Sequence, residues 1–340
     1  MRIGLAGLGR IGAFHADTLL GLPAVTTLVV TDARGETARE TGARLRAAHP
    51  DKSVEVVTDS RELLDGLDGL VIATATPGHA EWIRGGLEAG VATFCEKPVA
   101  GGLAETIDLA RLAARTSTPV HVGHHRRFDP GFRRLREAVT ADELGFITTI
   151  RATSHDRTPP HPSFIPTSGG IYRDCLVHDI DAVRFVTGRE VASVYAVGAN
   201  KGAAHFGAAG DVDTGAALLT LDDDTLVLVS ATRYNGAGYD VRMEVHGELG
   251  TLAAGLDEAL PMRSAQEGVG FPHGPARRTF MERFLPAYRD ELTAFLQVAA
   301  DRGPSPCTIA DALAAFRVAE ACELSRAEAR PVPLTEIEGL

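Results

Sequence analysis

Ile3-Gly4-Leu5-Ala6-Gly7-Leu8-Gly9-Arg10-Ile11-Gly12 sets the spacing G-x-G-x-x-G directly behind a short apolar run. The residues from Ile11 to Leu20 then place apolar side chains at helical intervals. A strand, this spacing and a helix form the context in which the glycines have a mechanism. Gly7 permits a tight turn, Gly9 lets a pyrophosphate approach the backbone, and Gly12 allows the helix to pack closely on the strand. The first-turn amides around Arg10 and Ile11 supply donors and a favourable dipole for phosphate. A second strand, Val25 to Thr31, ends at Asp32, twenty residues past Gly12. A carboxylate there is suited to the ribose 2′-hydroxyl of NAD and repels the 2′-phosphate of NADP. Ala33 and Arg34 adjoin the same ribose, and Arg34 softens the discrimination, so the coenzyme is expected to be NAD, with NADP secondary. The plain alternative is that the glycines only turn the chain and Asp32 caps a helix.

Working outward, strand and helix patterns alternate. Strands are expected at Val54–Val57, Gly69–Ala73, Val91–Phe94 and Pro119–Val122. This alternation predicts a doubly wound parallel Rossmann sheet. The carboxyl ends of such strands face the ligand. Thr74, Pro77 and His79 follow one strand, and Glu96-Lys97-Pro98 follows another. All are expected at the coenzyme, His79 as a ribose contact or as packing at a helix start. Lys97 at that edge is suited to redox chemistry at an alcohol carbon, because its ammonium stabilises charge developing on the oxygen.

Beyond residue 122 the alternation stops. A helix is expected from His124 to about Val139, a strand at Phe146–Thr153, and a loop with four prolines from Arg157 to Ser168. Helical periodicity runs from Gly170 to Val186. Strands follow at Val191–Val197, Thr214–Leu221, Thr225–Thr232, Val241–Val245 and Gly250–Ala254, then helices at Phe280–Ala300 and Ile309–Ala327. The fold class is therefore α/β plus α+β, with a second domain on a large, mostly antiparallel, open-faced sheet. The boundary is expected between residues 122 and 123, with residues 123–340 forming the substrate and oligomerisation domain and the last helices able to pack back on the first. A sheet with helices on one face leaves the other for a second subunit.

The bulk properties narrow the function. The net charge of −11 argues against nucleic acid as a main partner. No apolar run suits a membrane span, and the N-terminus lacks the pattern of a signal peptide. Cys95, Cys175, Cys307 and Cys322 are scattered without C-x-x-C spacing. A reduced, cytoplasmic protein without a metal site is expected. Asp174 and His178 are four residues apart and would share a helical face, with His178 in the right titration range for a general base. An ordinary charged helix face is the competing reading of that pair.

The chain resembles the Gfo/Idh/MocA oxidoreductase family essentially end to end. The residues that carry this are Gly7-x-Gly9-x-x-Gly12, Glu96-Lys97-Pro98, Gly169-Gly170-Ile171-x-x-Asp174-x-x-x-His178-Asp179-x-Asp181 and Gly238-Tyr239-Asp240. Arg126-Arg127-Phe128-Asp129, Val241-Arg242-x-Glu244-Val245-x-Gly247 and Phe284-x-x-Ala287-Tyr288 make it most similar to the inositol 2-dehydrogenase branch. The resemblance implies NAD-dependent oxidation of a ring hydroxyl of a cyclic polyol, myo- or scyllo-inositol, and a homotetramer. It implies Lys97, Asp174 and His178 as catalytic residues, and Arg127, His155, Asp181 and Tyr239 as substrate contacts. His124 and His125 stand where the branch usually has Phe-Asn, and Ala237 where it usually has an aromatic, which bears on the ring preferred. The alternatives are a dehydrogenase of a related sugar or aminocyclitol, and a non-catalytic NAD(P)-binding sensor.

Overall fold

The computed structural model describes residues 1–59 and 62–338. The first third of the chain runs β1 (Arg2–Ala6), α1 (Arg10–Leu20), β2 (Thr27–Thr31), α2 (Gly35–Ala48), β3 (Ser53–Val56), β4 (Gly69–Ile72), α3 (His79–Glu88), β5 (Ala92–Glu96), α4 (Leu103–Ala113) and β6 (Val120–Gly123). Then follow α5 (Pro130–Thr140), β7 (Ile147–His155), α6 (Val177–Thr187), β8 (Val191–Ala199), α7 (His205–Ala208), β9 (Thr214–Leu221), β10 (Leu226–Thr232), β11 (Asp240–Gly247) and β12 (Thr251–Ala254). The chain closes with α8 (Phe280–Asp301), α9 (Ile309–Glu328), β13 (Val332–Pro333) and α10 (Leu334–Glu338). It forms two compact units, Met1–His124 with Tyr288–Leu313, and His125–Ala287 with Ala314–Leu340.

In the first unit six strands stand in the order β3-β2-β1-β4-β5-β6, all parallel. Successive strand residues point to opposite faces, and both faces are buried, as a parallel sheet requires. Ile3, Leu5, Leu28, Val30, Val71 and Phe94 pack on one side with Leu292 and Phe295 of α8. Val29, Leu70, Ile72 and Cys95 pack on the other with Ile83 and Leu87 of α3. The expected Rossmann sheet is present, with strand ends close to those read from the sequence.

In the second unit seven strands stand in the order β12-β11-β7-β10-β9-β8-β13. Pairing is antiparallel except between β7 and β10. Ile150, Ala152, Val227, Val229, Leu219 and Met243 are buried on one face, where α5 and α6 lie against the sheet. Tyr195, Val197, Leu218, Leu226 and Leu228 are exposed, and Tyr195–Leu218 and Leu218–Leu228 are cross-strand partners. The expected mostly antiparallel, open-faced sheet is therefore what forms.

Two local expectations are corrected. The helix read from His124 is a tight turn at His125–Phe128 followed by α5. Pro130 disfavours helical backbone at the residue before it, and Asp129 instead caps α5 by accepting from the amides of Gly131 and Phe132 at 3.0 and 3.3 Å. The helix read through Gly170–Val186 opens with a wide π-type turn at Tyr172–Leu176 before α6 begins.

Candidate active site

The first unit holds a cradle for a dinucleotide. Gly7 has φ of +90°, and a Cβ there would come within 2.6 Å of the Thr74 backbone. A Cβ on Gly12 would lie 1.9 Å from the Gly7 carbonyl oxygen, so only glycine lets α1 sit this close to β1. Gly9 differs from both, since a Cβ on it would meet no protein atom within 4 Å. The space beside it is where a pyrophosphate approaches. The first turn of α1, which includes Arg10 and Ile11, carries no acidic residue and no side-chain cap. The positive end of the helix dipole is thus left for an anion.

Asp32 follows β2 at the same edge. Its Oδ2 accepts from the Leu8 amide at 2.8 Å and its Oδ1 from the Arg34 amide at 3.0 Å. The carboxylate is thereby aimed and anionic acceptor sites remain on both oxygens. Arg34 reaches it only at 3.9 Å and is largely exposed, as is Ala33. These residues fit a dinucleotide with a free ribose 2′-hydroxyl.

Thr74 and Pro77 lie after β4, and Lys97 is half-buried at the carboxyl end of β5. Two expected coenzyme contacts are placed differently. The ring nitrogens of His79 face protein carbonyls, Nδ1 that of Pro98 at 2.7 Å and Nε2 that of Thr74 at 3.0 Å. His79 is 2% exposed and packs at the start of α3, the packing role its place in the sequence also offered. Glu96 Oε1 lies 2.6 Å from Nε2 of buried His15 on α1, which ties the carboxylate to the protein.

In the second unit, His155 ends β7, Arg233 follows β10, and Tyr239 precedes β11. Arg126 is buried and donates to Asp179 Oδ1 at 2.6 Å and to Ser154 Oγ at 2.7 Å, while Ser154 Oγ donates to Asp179 Oδ2 at 2.6 Å. The ring closes the turn, β7 and α6 on one another. Breaking it strands a buried guanidinium, which costs about 3–5 kcal/mol. Asp179→Ala should therefore lose stability of that order in urea unfolding, and a loss below about 1 kcal/mol would contradict this description of the pair.

Arg127 and Asp181 were expected as polyol contacts. They are buried and pair with each other in bidentate fashion, Nε to Oδ2 at 2.9 Å and Nη2 to Oδ1 at 2.6 Å. Such a fork geometry fixes the pair between the turn and α6, with a further acceptor site left on each carboxylate oxygen. Asp174 is likewise engaged. It lies in the π-type turn, outside the α-helix that carries His178, so simple i,i+4 stacking does not describe the two. Arg233 donates to Asp174 Oδ2 at 2.7 Å and to Asp156 Oδ2 at 3.0 Å. Burial opposes the Arg233 charge, but Cys175, Asp174 and Asp156 outweigh it and hold the guanidinium more firmly protonated than usual.

His178 is half-buried and meets His125 edge-on at 5.1 Å, with His125 in turn 4.6 Å from Phe284. Burial pushes His155 below the ordinary imidazole range, more than Asp240 raises it. It is therefore neutral near neutral pH. Burial likewise pushes Tyr239 well above the ordinary phenol range, so its hydroxyl remains a donor. The sequence reading missed Arg233, Asp156 and Ser154. Arg126 and Asp179 stood within quoted motifs but had no assigned partner. Among the described residues no three His, Cys, Asp or Glu side chains are grouped to hold a metal ion.

Comparison with known proteins follows this geometry. Residues 1–124 match the family model described as an oxidoreductase family with an NAD-binding Rossmann fold. Residues 132–253 match the GFO/IDH/MocA C-terminal domain. The chain is 39% identical over 328 residues to a myo-inositol dehydrogenase of Streptomyces leeuwenhoekii, covering 96% of this chain and 97% of the relative. It is 34% identical over 338 residues to an inositol 2-dehydrogenase of Rhizobium meliloti, covering 98% and 99%. A crystal structure of scyllo-inositol dehydrogenase from Lactobacillus casei, with bound NAD(H) and scyllo-inositol, superposes with a TM-score of 0.85 at 27% identity, covering 98% of this chain and 99% of that one. With both units matched and likeness running nearly end to end, the chain belongs to the GFO/IDH/MocA oxidoreductase family.

Proposed function

We propose that this protein oxidises a ring hydroxyl of a cyclic polyol, myo- or scyllo-inositol, to the ketone with NAD. The observation that carries this reading is Lys97 at the carboxyl end of β5, in the same parallel sheet whose first turn is the Gly7-Gly9-Gly12 cradle. The substrate class is supported by relatives of nearly full length that bear the names of inositol dehydrogenases. Asp32 supports NAD over NADP.

When bound, the nicotinamide supplies the hydride acceptor, and the protein residues manage the proton and the charge. Lys97 donates a hydrogen bond to the reacting oxygen and stabilises its negative charge as the C–H bond breaks. His178 takes the hydroxyl proton on an imidazole nitrogen. Asp174, fixed by Arg233, holds the imidazole or a neighbouring hydroxyl. Neutral His155 and protonated Tyr239 offer hydrogen bonds to other ring hydroxyls. Arg127 and Asp181, oriented by their ion pair, offer further polar contacts to the ring.

The same reading takes a cytoplasmic homotetramer. Its support is the exposed apolar row Tyr195, Leu218 and Leu228 on the open sheet face and, among the described residues, four cysteines in no disulfide. No helix among the described residues is long and apolar enough to cross a membrane. The test is NAD reduction followed at 340 nm with myo-inositol, scyllo-inositol, chiro-inositol and glucose in parallel. Turnover is expected on at least one inositol and faster than on glucose. Tight NAD binding without turnover on any of the four would overturn the reading in favour of a sensor.

A further inference from the structure

Glu96 is the last residue of β5 and directly precedes Lys97. Successive strand residues point to opposite faces, and the packing here follows that rule. Phe94 clusters with Ala16 and Leu19 of α1, and Cys95 clusters with Ile83 of α3 on the other side. Glu96 is in phase with Phe94, so its carboxylate is directed at α1, where Oε1 lies 2.6 Å from Nε2 of His15. Its Oε2 lies against the neighbouring strand. A Cβ on Gly123, the partner of Glu96 on β6, would stand 3.0 Å from that oxygen. The carboxylate is thus wedged between α1 and β6, with its side chain 16% exposed.

His15 is fully buried, and the rings of Phe14, Phe94 and Tyr288 surround it at centroid distances of 5.7 to 5.9 Å. That packing fixes the imidazole in place. A carboxylate accepts and a ring N–H donates, so a single proton on Nε2 makes the bond and the neutral imidazole suffices. Nδ1 is buried with no hydrogen-bond partner among the described residues. Placing the proton on Nε2 therefore strands no donor.

We propose that His15 is a positioning residue. By holding the Glu96 carboxylate on α1 it fixes the end of β5, and so the place from which Lys97 reaches the reacting oxygen. This rests on the role of Lys97 given above. The bond is separable from mere packing by reach. Gln presents an amide nitrogen near the position of Nε2 and keeps the donor. Asn presents one near that of Nδ1 and leaves the carboxylate without it.

The chain has three lysines, Lys52, Lys97 and Lys201. Acylation by acetic anhydride, followed residue by residue by mass spectrometry, therefore reports on Lys97 against two internal references. The experiment measures that rate, kcat on the best inositol and the NAD dissociation constant by calorimetry. The proteins are the wild type, His15→Asn, His15→Gln, Glu96→Ala and the double variant His15→Asn/Glu96→Ala. His15→Asn should lower kcat by about 10- to 10²-fold, the range expected when a reacting group shifts by up to ~1 Å. Its Lys97 should be acylated faster, and its NAD dissociation constant should stay within about threefold of the wild type. His15→Gln should keep kcat within about threefold of the wild type, with Lys97 acylated at the wild-type rate. Glu96→Ala releases the same tether from its other end, so Lys97 should again be acylated faster. Adding His15→Asn to it should slow turnover little further, because residues acting through one contact are not additive.

Asn and Gln variants that match each other in kcat and acylation would overturn the proposal. So would rate losses that multiply in the double variant. Wild-type acylation of Lys97 in Glu96→Ala would also overturn it, whether or not His15→Asn folds. Should the wild type oxidise no polyol, the function reading falls on that result alone. Lys97 acylation then still decides the tether, since it requires no turnover.

Discussion

Lys97→Ala should lower kcat by about 10²–10³-fold, the usual consequence of deleting one preorganised donor from a developing oxyanion. The NAD dissociation constant should stay within about threefold, a change under ~0.7 kcal/mol. The reasoning starts from the fold. β5 ends at Glu96, which puts Lys97 at the carboxyl edge of the parallel sheet, and ligands of such sheets bind at that edge. Phosphate and ribose recognition lies elsewhere, in the Gly7–Gly12 turn and at Asp32. Removing the ammonium therefore strips charge stabilisation from the reacting oxygen and leaves the main coenzyme anchors in place. Steady-state rates at 340 nm and calorimetric NAD titration check the two halves. Near-normal kcat, or a loss confined to NAD affinity, would remove Lys97 from the chemistry.

His178→Ala should lower kcat by about 10²–10⁴-fold, the span of general-base assistance. The accompanying change is in the pH profile of kcat/KM. A base must be unprotonated to act, so in the wild type activity rises as pH climbs through its titration, and in the variant that rising limb should disappear. A structural role for this half-buried imidazole beside His125 would lower the rate without flattening the profile. Retention of the limb in the variant would assign the base elsewhere.

The Rossmann half was legible because its signals are local. Short apolar runs along strands buried on both faces, glycines at fixed spacing and an acid after the second strand act on their immediate neighbours. Ile3, Leu5, Val71 and Phe94 therefore pack as their pattern suggested. The second sheet was legible as strands but not as an arrangement. The parallel partnership of β7 with β10 joins segments far apart in the chain, and β13 has two residues, too few for a period. The site was least legible where function rests on long-range pairing. Arg233 reaches Asp174 across 59 positions and Arg127 reaches Asp181 across 54, and nothing in either local pattern names the partner. Helical periodicity from Gly170 onward also concealed the π-type turn at Tyr172–Leu176, because the apolar spacing reads the same while the backbone ladder differs. The partners of His79 were illegible for a related reason, since the two carbonyls it faces depend on the neighbouring of β4 and β5 rather than on its own sequence surroundings.

The central proposal is that Lys97 and His178 both act in the oxidation step. The most direct test is a double-mutant cycle on the single-turnover rate of NAD reduction by inositol, comparing the wild type, Lys97→Ala, His178→Ala and the double variant. Residues that act as a unit are strongly non-additive, so the double variant should be little slower than the slower single variant. Rate losses that multiply, as independent sites do, would contradict the account.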